Sequence, residues 1–524
     1  MAKCKFECRS ELSAKVLKGV NTLADNVAAT LGPKGRNVIL HQKGKAPIIT
    51  KDGVTVSEFV HSDDVFENAA IQIIKQATSQ TNTMAGDGTT TATVLARAIL
   101  TGAQRYITAG ASPIELKRGI DVAVEQVVTA LKAQASHIET LDDVENVATI
   151  SANNDRIIGK LVATAVDKAG KDGSITIEEA RSSETTLDMI EGFRLEAGYA
   201  AAAFVTDERR GAVQHDSPLI LVTDAKIDTV EQILPALEII SRDGRPLIIV
   251  AEDIEGQALA ALIMNTVRGT MKIAAVKAPF YGERRRHGLS DLALSTGAEF
   301  FSRDSTVGLR DIKLEHFGQA RSIDITKIGT TVIGGKGDFA ELDRRIALLK
   351  TELQSTSELR ECEKIQERIT KLASGVAVIN VGAATEVEMI EKKHRLEDAL
   401  EAVKSAQEEG IVCGGGVALL RTVETLRGIE VENDDQQFGV DIVAGALVAP
   451  LRQMATNCGL SPDLIEARIK EAPQDSGFNF RDFRIENMLE AGIIDPVKVT
   501  RSAIENAASA AGTLITTSHA IVEV

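Results

Sequence analysis

Between about residues 190 and 376 the hydrophobic pattern of this chain changes period, and that change constrains the fold more than any other feature. Short apolar runs, Leu219–Thr223, Leu247–Ala251 and Ile273–Val276, alternate there with helical segments near 230–241, 255–268 and 284–297. Apolar runs of this length read as strands covered on both faces, and their alternation with helices predicts an α/β layer domain. The flanking regions are different. In Glu67–Ala77 the residues Ala70, Ile73, Ile74 and Ala77 follow the i, i+3, i+4, i+7 spacing of an amphipathic helix, and a second such stretch, Ala92–Leu100, follows a Gly/Thr-rich loop. Short β runs occur at Val38–Leu40, Ile48–Thr50 and Val54–Val56. The last two are joined by Lys51-Asp52-Gly53, and Asp-Gly predicts a tight hairpin between them. Residues 338–372 are charge-rich with helical spacing and predict a long helical hairpin.

A chain of 524 residues is too long for one core and predicts about two to four domains. With no Trp and only three Tyr, those cores must be built from Ala, Val, Ile and Leu. The formal net charge of −16 repels phosphate backbones, and no extended Lys/Arg stripe offsets it, so nucleic acid is not an expected partner. The run Arg284-Arg285-Arg286 reads as a solvated helix start. Residues 1–7 are charged with no apolar run behind them, which is not a signal peptide. Apolar stretches such as Leu247–Ala251 are too short to span a bilayer, so no membrane partner is expected. Five scattered cysteines argue against a disulfide framework, and Cys4 and Cys8 have no matching Cys/His pair for zinc. Together these features predict a cytoplasmic protein.

Phosphate chemistry has one local candidate. Gly86-Asp87-Gly88-Thr89-Thr90-Thr91 precedes a helix, where exposed N–H groups make an anion site and glycines admit a phosphate closely. The three hydroxyls can donate to phosphate oxygens, and Asp87 can hold Mg²⁺ as a hard oxygen ligand. Taken alone, the same residues also read as an ordinary helix start after a turn. Leu31-Gly32-Pro33-Lys34-Gly35 and Gly414-Gly415-Gly416 are further Gly-rich turns, and Asp398 alone reads as a solvated helical carboxylate. The G-x-x-x-x-G-K-[ST] loop and the third glycine of a dinucleotide fingerprint are missing, as are H-E-x-x-H and paired C-x-x-C.

The combination is more specific than its parts. Leu31–Val38, Lys51–Val56, Gly86–Thr91, Gly382–Met389, Gly414–Leu419 and Asp495–Arg501 resemble, in order and spacing, the corresponding segments of group I (GroEL-type) chaperonins. The resemblance implies a multi-domain α and α/β ring subunit. It divides the chain into a helical equatorial ATPase domain (1–135 and 409–524), a small α+β intermediate hinge (136–190 and 377–408) and an α/β apical domain (191–376). It implies an ATP-dependent chaperone that captures, encapsulates and releases non-native proteins. Such a protein forms seven-membered rings, one or two per particle, with a GroES-type co-chaperonin lid.

Residue roles follow from the same resemblance. Asp87 would ligate Mg²⁺, with Gly88, Thr89, Thr90 and Thr91 around the β- and γ-phosphates. Backbone at Thr30, Leu31, Gly32 and Pro33 would line the nucleotide, and the Thr30 and Lys51 carbonyls would hold K⁺. Gly415, Asn479 and Asp495 would contact the adenosine. Asp398 would orient the attacking water, with Asp52 nearby. Client binding would fall on Tyr199 and Phe204 and on Leu234, Leu237, Leu259, Ile263 and Met264, the last five in helices 230–241 and 255–268, whose apolar faces are broad.

The chain also departs from the family pattern. Ala202-Ala203 stands in place of a Pro-Tyr pair, and Ala197 in place of an Arg that pairs with Glu386 between subunits. Phe480 and Arg481 replace small residues beside the nucleotide. Arg452 is present, but Ser461 stands where its acidic partner across the ring–ring contact would be, with Asp463 as a substitute. The family's Gly-Met-rich tail is missing. A specialised single-ring or lid-independent chaperonin is therefore the alternative to an ordinary foldase. A small-molecule kinase is a third reading, for which the chain offers no acceptor pocket.

Overall fold

The computed structural model describes residues 4–42, 47–169, 174–180, 183–302, 308–355, 359–373 and 375–523. The chain divides into two compact units, one made of Met1–Ala163 with Ala383–Val524 and the other of Thr164–Gly382.

The first unit is helical. The helix Val497–Thr516 is its axis, with Ala503, Ala507, Ala508, Ala510 and Ala511 buried. These small side chains let Val65–Ala85, Thr89–Thr108 and Pro113–Ala133 pack closely around it. Arg9–Ala28 adds Leu12, Val16, Val20, Leu23 and Val27 to the same core. Helix starts are set by side chains: the Asp64 carboxylate accepts from the N–H groups of Phe66 and Glu67. The stretch Asp434–Asn457 is long and apolar enough to cross a membrane, contrary to the reading from short runs. It forms two successive helices, Asp434–Leu447 and Ala449–Asn457, whose Val440, Val443, Ala446, Leu447 and Leu451 are buried in the fold. That apolar surface is spent on packing, including against Pro113–Ala133.

Two local expectations are corrected here. Ile48–Thr50 pairs antiparallel with Val38–Leu40, not with 54–56. Gly53–Phe59 is a helix, because the Asp52 carboxylate caps it by accepting from Val54 N–H at 3.1 Å and Thr55 N–H at 3.0 Å. An Asp-Gly pair suits a helix start as well as a turn, and here the cap prevails. The helix expected from Ala92 begins at Thr89, so the three threonines form its first turn.

The second unit is built on a ten-stranded sheet. Leu219–Thr223, Leu247–Ala251 and Ile273–Lys277 are parallel neighbours, with Leu219 opposite Leu247 and Ile273 opposite Leu247 on its other side. The first two strands are buried throughout, as expected for a parallel layer covered on both faces. Gly318–Ile325, Thr330–Gly335 and Thr186–Leu195 continue the sheet antiparallel, followed by Gly375–Val381 and Ser174–Glu179. Phe339–Ser355 and Leu359–Ala373 form the helical hairpin. The triple-arginine run is not merely solvated. It opens the helix Gly282–Thr296, where Arg284, Arg285 and Arg286 pair with Glu367, Glu252 and Asp224.

Candidate functional site

A cleft of about 690 Å³ in the first unit gathers residues from many distant stretches of sequence, among them Thr30–Pro33, Lys51–Gly53, Asp87–Thr91, Asp398 and Asp495. Its polar end is built on the start of Thr89–Thr108. Gly88 is the N-cap and has no side chain to satisfy the first-turn N–H groups, which leaves them to a ligand. Thr90 and Thr91 line the cleft, as do Asp87 and Gly88. Thr89 does not: it is buried, and its Oγ1 has no hydrogen-bond partner among the described residues. Ser151 reaches Asp87 from the side, its Oγ 3.4 Å from Asp87 Oδ2. Two glycines hold this loop against its neighbours. A Cβ at Gly53 would stand 2.2 Å from Thr90 Oγ1, and one at Gly86 would stand 2.0 Å from Glu401 Cβ. Gly86 also has φ +75°, the left-handed region that disfavours other residues.

The Gly86 contact matters because it seats the helix Glu386–Glu409, which carries Asp398 into the cleft. Ser405 on the same helix donates to the Ala85 carbonyl at 2.8 Å. One turn before Asp398, Arg395 pairs with Asp155 at 3.1 Å and Glu391 at 2.7 Å. Lys51 lies across the cleft and donates from Nζ to the Gly32 carbonyl at 3.1 Å. Burial, and then the Arg395 guanidinium, lower its pKa below the usual lysine value. Asp52 beside it is held by its helix cap and by the Thr55 hydroxyl at 2.6 Å. Thr30, Leu31, Gly32 and Pro33 form the adjoining wall. Among the described residues, no hydrogen bond ends on the carbonyl oxygen of Thr30 or Lys51.

The other end combines aromatic with charged side chains. Gly415 and Asp495 meet where Ile411–Cys413 pairs with Ile494–Pro496, Val412 opposite Asp495. Burial pushes the Asp495 carboxyl up to about 7, the Asp87 carboxylate adds to the rise, and the Gly415 N–H partly offsets it. The hairpin Ser476–Asn479 with Arg484–Asn487 contributes Phe478 and Phe480, whose rings meet edge-on at 5.1 Å. Asn479 lines the cleft, but its side chain is saturated. Its Nδ2 donates to Asp482 and Glu486, and its Oδ1 accepts from the N–H groups of Arg481 and Asp482. It shapes the turn and has no spare amide group for a ligand.

The expected client-binding residues lie in the second unit, on two helices that pack against each other, Val230–Asp243 and Gly256–Val267, and on the segment before them. Leu234 and Met264 are 47% and 48% exposed, and Val267 is more exposed still. Tyr199, Leu259 and Ile263 are half-buried, packed against the core edge. Phe204 and Leu237 are corrections: both are buried in the core and present no surface. Leu237 shares the inward stripe with Ile233 and Ile240, so it faces the sheet while Leu234 faces out.

Sequence reasoning missed Ser151, Asn153, Asn154 and Arg156, which line the cleft, and Arg395 behind Asp398. Asn153 and Asn154 adopt left-handed backbone, for which asparagine is a weak signal that a motif search does not use. The sequence profile of the TCP-1/cpn60 chaperonin family matches residues 23–524. Among solved structures, the chain is similar to the chaperonin gp146 from the bacteriophage EL 2 (Pseudomonas aeruginosa), crystallised in the presence of ATP-BeFx. The TM-score is 0.68 for one crystal form and 0.62 for another, at 20% identity over 99% of both chains. That likeness shows the shared fold, and the profile match over nearly the whole length settles membership: the chain belongs to the TCP-1/cpn60 chaperonin family.

Proposed function

We propose that this chaperonin binds ATP in the cleft of its first unit and uses hydrolysis to drive capture and release of non-native proteins. The observation that carries the reading is that Lys51, Asp87, Thr90, Thr91 and Asp398, far apart in sequence, line one cleft at an uncapped helix start. ATP-BeFx with the phage chaperonin is a further support. The triphosphate lies against the Thr90 and Thr91 N–H groups and hydroxyls. Asp398 orients a water toward the terminal phosphorus, and Asp52, fixed by its cap, helps to hold it. Phosphoryl transfer needs such positioning and charge neutralisation more than a strong base.

Asp87 offers one hard carboxylate oxygen, which suits Mg²⁺, since that ion usually takes one or two carboxylates plus substrate phosphates. Among the described residues no cluster of three or more His, Cys, Asp or Glu could cage a metal, so the nucleotide must complete the site. Held there by Asp87, Mg²⁺ would supply charge neutralisation to the nucleotide's phosphates. The carbonyls of Thr30 and Lys51 suit K⁺. Apolar side chains on the second unit, Leu234, Leu259, Ile263, Met264 and Tyr199, take exposed apolar segments of clients, because area burial is nearly sequence-blind. The same surface receives a co-chaperonin lid. Residues 136–190 and 377–408 act as the hinge between equatorial and apical domains, in seven-membered rings in the cytoplasm.

Asp398→Ala tests the reading. ATP binding should persist while steady-state turnover falls at least about a hundredfold; unchanged turnover removes Asp398 from the mechanism. A second reading, a single-ring particle, is favoured by one observation. Arg452 is engaged within its own chain, at 2.7 Å from both Asp463 and Glu466. Light scattering decides: closed rings of 55.9 kDa subunits give about 390 kDa for one ring and about 780 kDa for two.

A further inference from the structure

Inside the second unit, a cavity of about 200 Å³ lies between the helix Gly282–Thr296, the hairpin helix Leu359–Ala373 and the strand Thr186–Leu195. Native cores leave few voids larger than a water molecule, so a space of this size needs a cause. Gly288 supplies it. It sits in the middle of its helix, where glycine weakens the helix, and a Cβ there would meet nothing within 4 Å. No neighbouring element uses the missing side chain to come close; the glycine leaves the space open. The floor is apolar, made by Phe193, Leu195 and Ile365, with Pro279 and Phe280 at one side. Phe280 is held at φ +66°, a left-handed backbone that is strained for an aromatic residue, and the Arg284 guanidinium lies 3.5 Å over its ring.

The charged groups of the wall are occupied with one another. Asp291 holds Arg368 through two bonds of 2.8 Å, Glu367 takes Arg284 and Lys371, and Glu361 pairs with Lys364. Glu196 pairs with Lys371, Arg285 with Glu252, and Glu352 is engaged as well. Arg194 points elsewhere. Its neighbours Phe193 and Leu195 take the core face of the strand, and its Nε lies 3.8 Å from where a Cβ on Gly329 would stand, beside a turn. No cation of the wall is left to take an anion. Glu283 and His287 remain: they lie 3.9 Å apart, and neither side chain makes a hydrogen bond among the described residues. Burial, and then the Arg368 guanidinium, lower the His287 pKa below the usual imidazole value. A neutral imidazole accepts through one ring nitrogen, and a carboxylate only accepts.

We infer that this cavity binds a small neutral aromatic molecule carrying one N–H or O–H donor, with its ring on the floor of Phe193, Leu195 and Ile365 and its donor toward Glu283 and His287. Size and chemistry agree. A cavity of about 150 Å³ lined by Leu, Ile and Phe holds benzene, so this one has room for a ring with a small extension. A neutral ring gains from covering the apolar floor and brings no charge that would be buried unpaired. A carboxylate would have to break one of the ion pairs of the wall to find a partner.

The test is binding of indole to the full chain, read by the emission of the probe, which no tryptophan of this chain masks. The wild type should bind indole saturably with a Kd of about 1 mM or tighter. Gly288→Leu, which fills the cavity, should lose about tenfold or more, and Gly288→Ala, which restores the helix former without filling it, should stay within about threefold. Benzoate should bind the wild type at least about tenfold more weakly than indole. Saturation transfer from bound indole to methyl groups of the wild type decides the location without any variant: transfer to Ile365 is expected. No saturable binding overturns the inference, and so does transfer confined to the exposed Leu234 and Met264. Indole that binds a folded Gly288→Leu as well as the wild type, or benzoate that binds as tightly as indole, overturns it too.

Discussion

The cleft of the first unit and the apolar helix pair of the second are built by opposite strategies. In and around the cleft several polar groups are already held: Asp52 by its helix cap, Asn479 by four hydrogen bonds, and Arg395, behind Asp398, by two carboxylates. Preorganised groups suit a ligand of one shape and a reaction with one geometry. On the helix pair the exposed groups are Leu234, Met264 and Val267, flexible or aliphatic side chains without directional bonds. A surface of that kind tolerates many partners. The contrast sets a directional, preorganised cleft beside a permissive apolar surface within one chain.

The sharpest way to break the contrast lies within a single helix. Leu237→Ser should destabilise the protein by about 4 kcal/mol in urea unfolding, because it removes a buried side chain and leaves a buried hydroxyl. Leu234→Ser, three residues earlier, should change stability by less than about 0.5 kcal/mol yet weaken capture of an unfolded reporter about fivefold. Equal effects on stability would mean the two faces of the helix are not distinct.

Two helix C-caps make the next comparison. Gly86 and Gly244 both adopt left-handed backbone, at φ +75° and +83°. A Cβ at Gly86 collides with Glu401, whereas one at Gly244 meets nothing within 4 Å. Gly86→Ala should cost about 3 kcal/mol and lower turnover by shifting the Asp398 helix, against about 1 kcal/mol for Gly244→Ala. Similar costs would show that the cleft helix is loosely seated.

The two units should also respond to pH with opposite sign. Asp495 has a folded pKa of about 7 against an ordinary 3.8, so its contribution is favourable in acid and is lost as pH rises toward 7. In nucleotide- and metal-free protein, the stability difference between wild type and Asp495→Asn should shift by about 3 kcal/mol from pH 5 to 8, against the wild type. His215 is held near 4 against 6.5, chiefly by burial and then by Lys272, with Asp216 opposing. It must stay neutral, so its contribution is full above pH 6.5 and lost as pH falls; relative to His215→Gln, the wild type should lose about 2 kcal/mol from pH 8 to 5. Parallel shifts in the two variants would contradict these environments.

Much of this was legible before any fold was in view, and the limits have physical causes. The strand–helix alternation of 219–297 is a local signal of a covered sheet, and the Gly86–Thr91 loop carries its anion chemistry in residue type alone. Asp52 was misread because Asp-Gly serves turns and helix caps equally, and the choice depends on the partner of Ile48–Thr50, which is Val38–Leu40. Periodicity placed Leu234 and Leu237 on one broad apolar face, but which of them the sheet covers is a tertiary fact. Asn479 is spent because Glu486 lies near it across the hairpin, a consequence of the register that sets Asn479 opposite Arg484.

The central claim is that nucleotide in the cleft governs what the helix pair holds. The most direct test is fluorescence anisotropy of a labelled unfolded reporter bound to the wild type, followed on addition of ATP with Mg²⁺ and K⁺. The account predicts release on ATP addition and recapture as ATP is exhausted, with Asp398→Ala releasing the reporter and failing to recapture it. Anisotropy that stays unchanged on ATP addition, in a protein shown to bind both ATP and reporter, would contradict the claim.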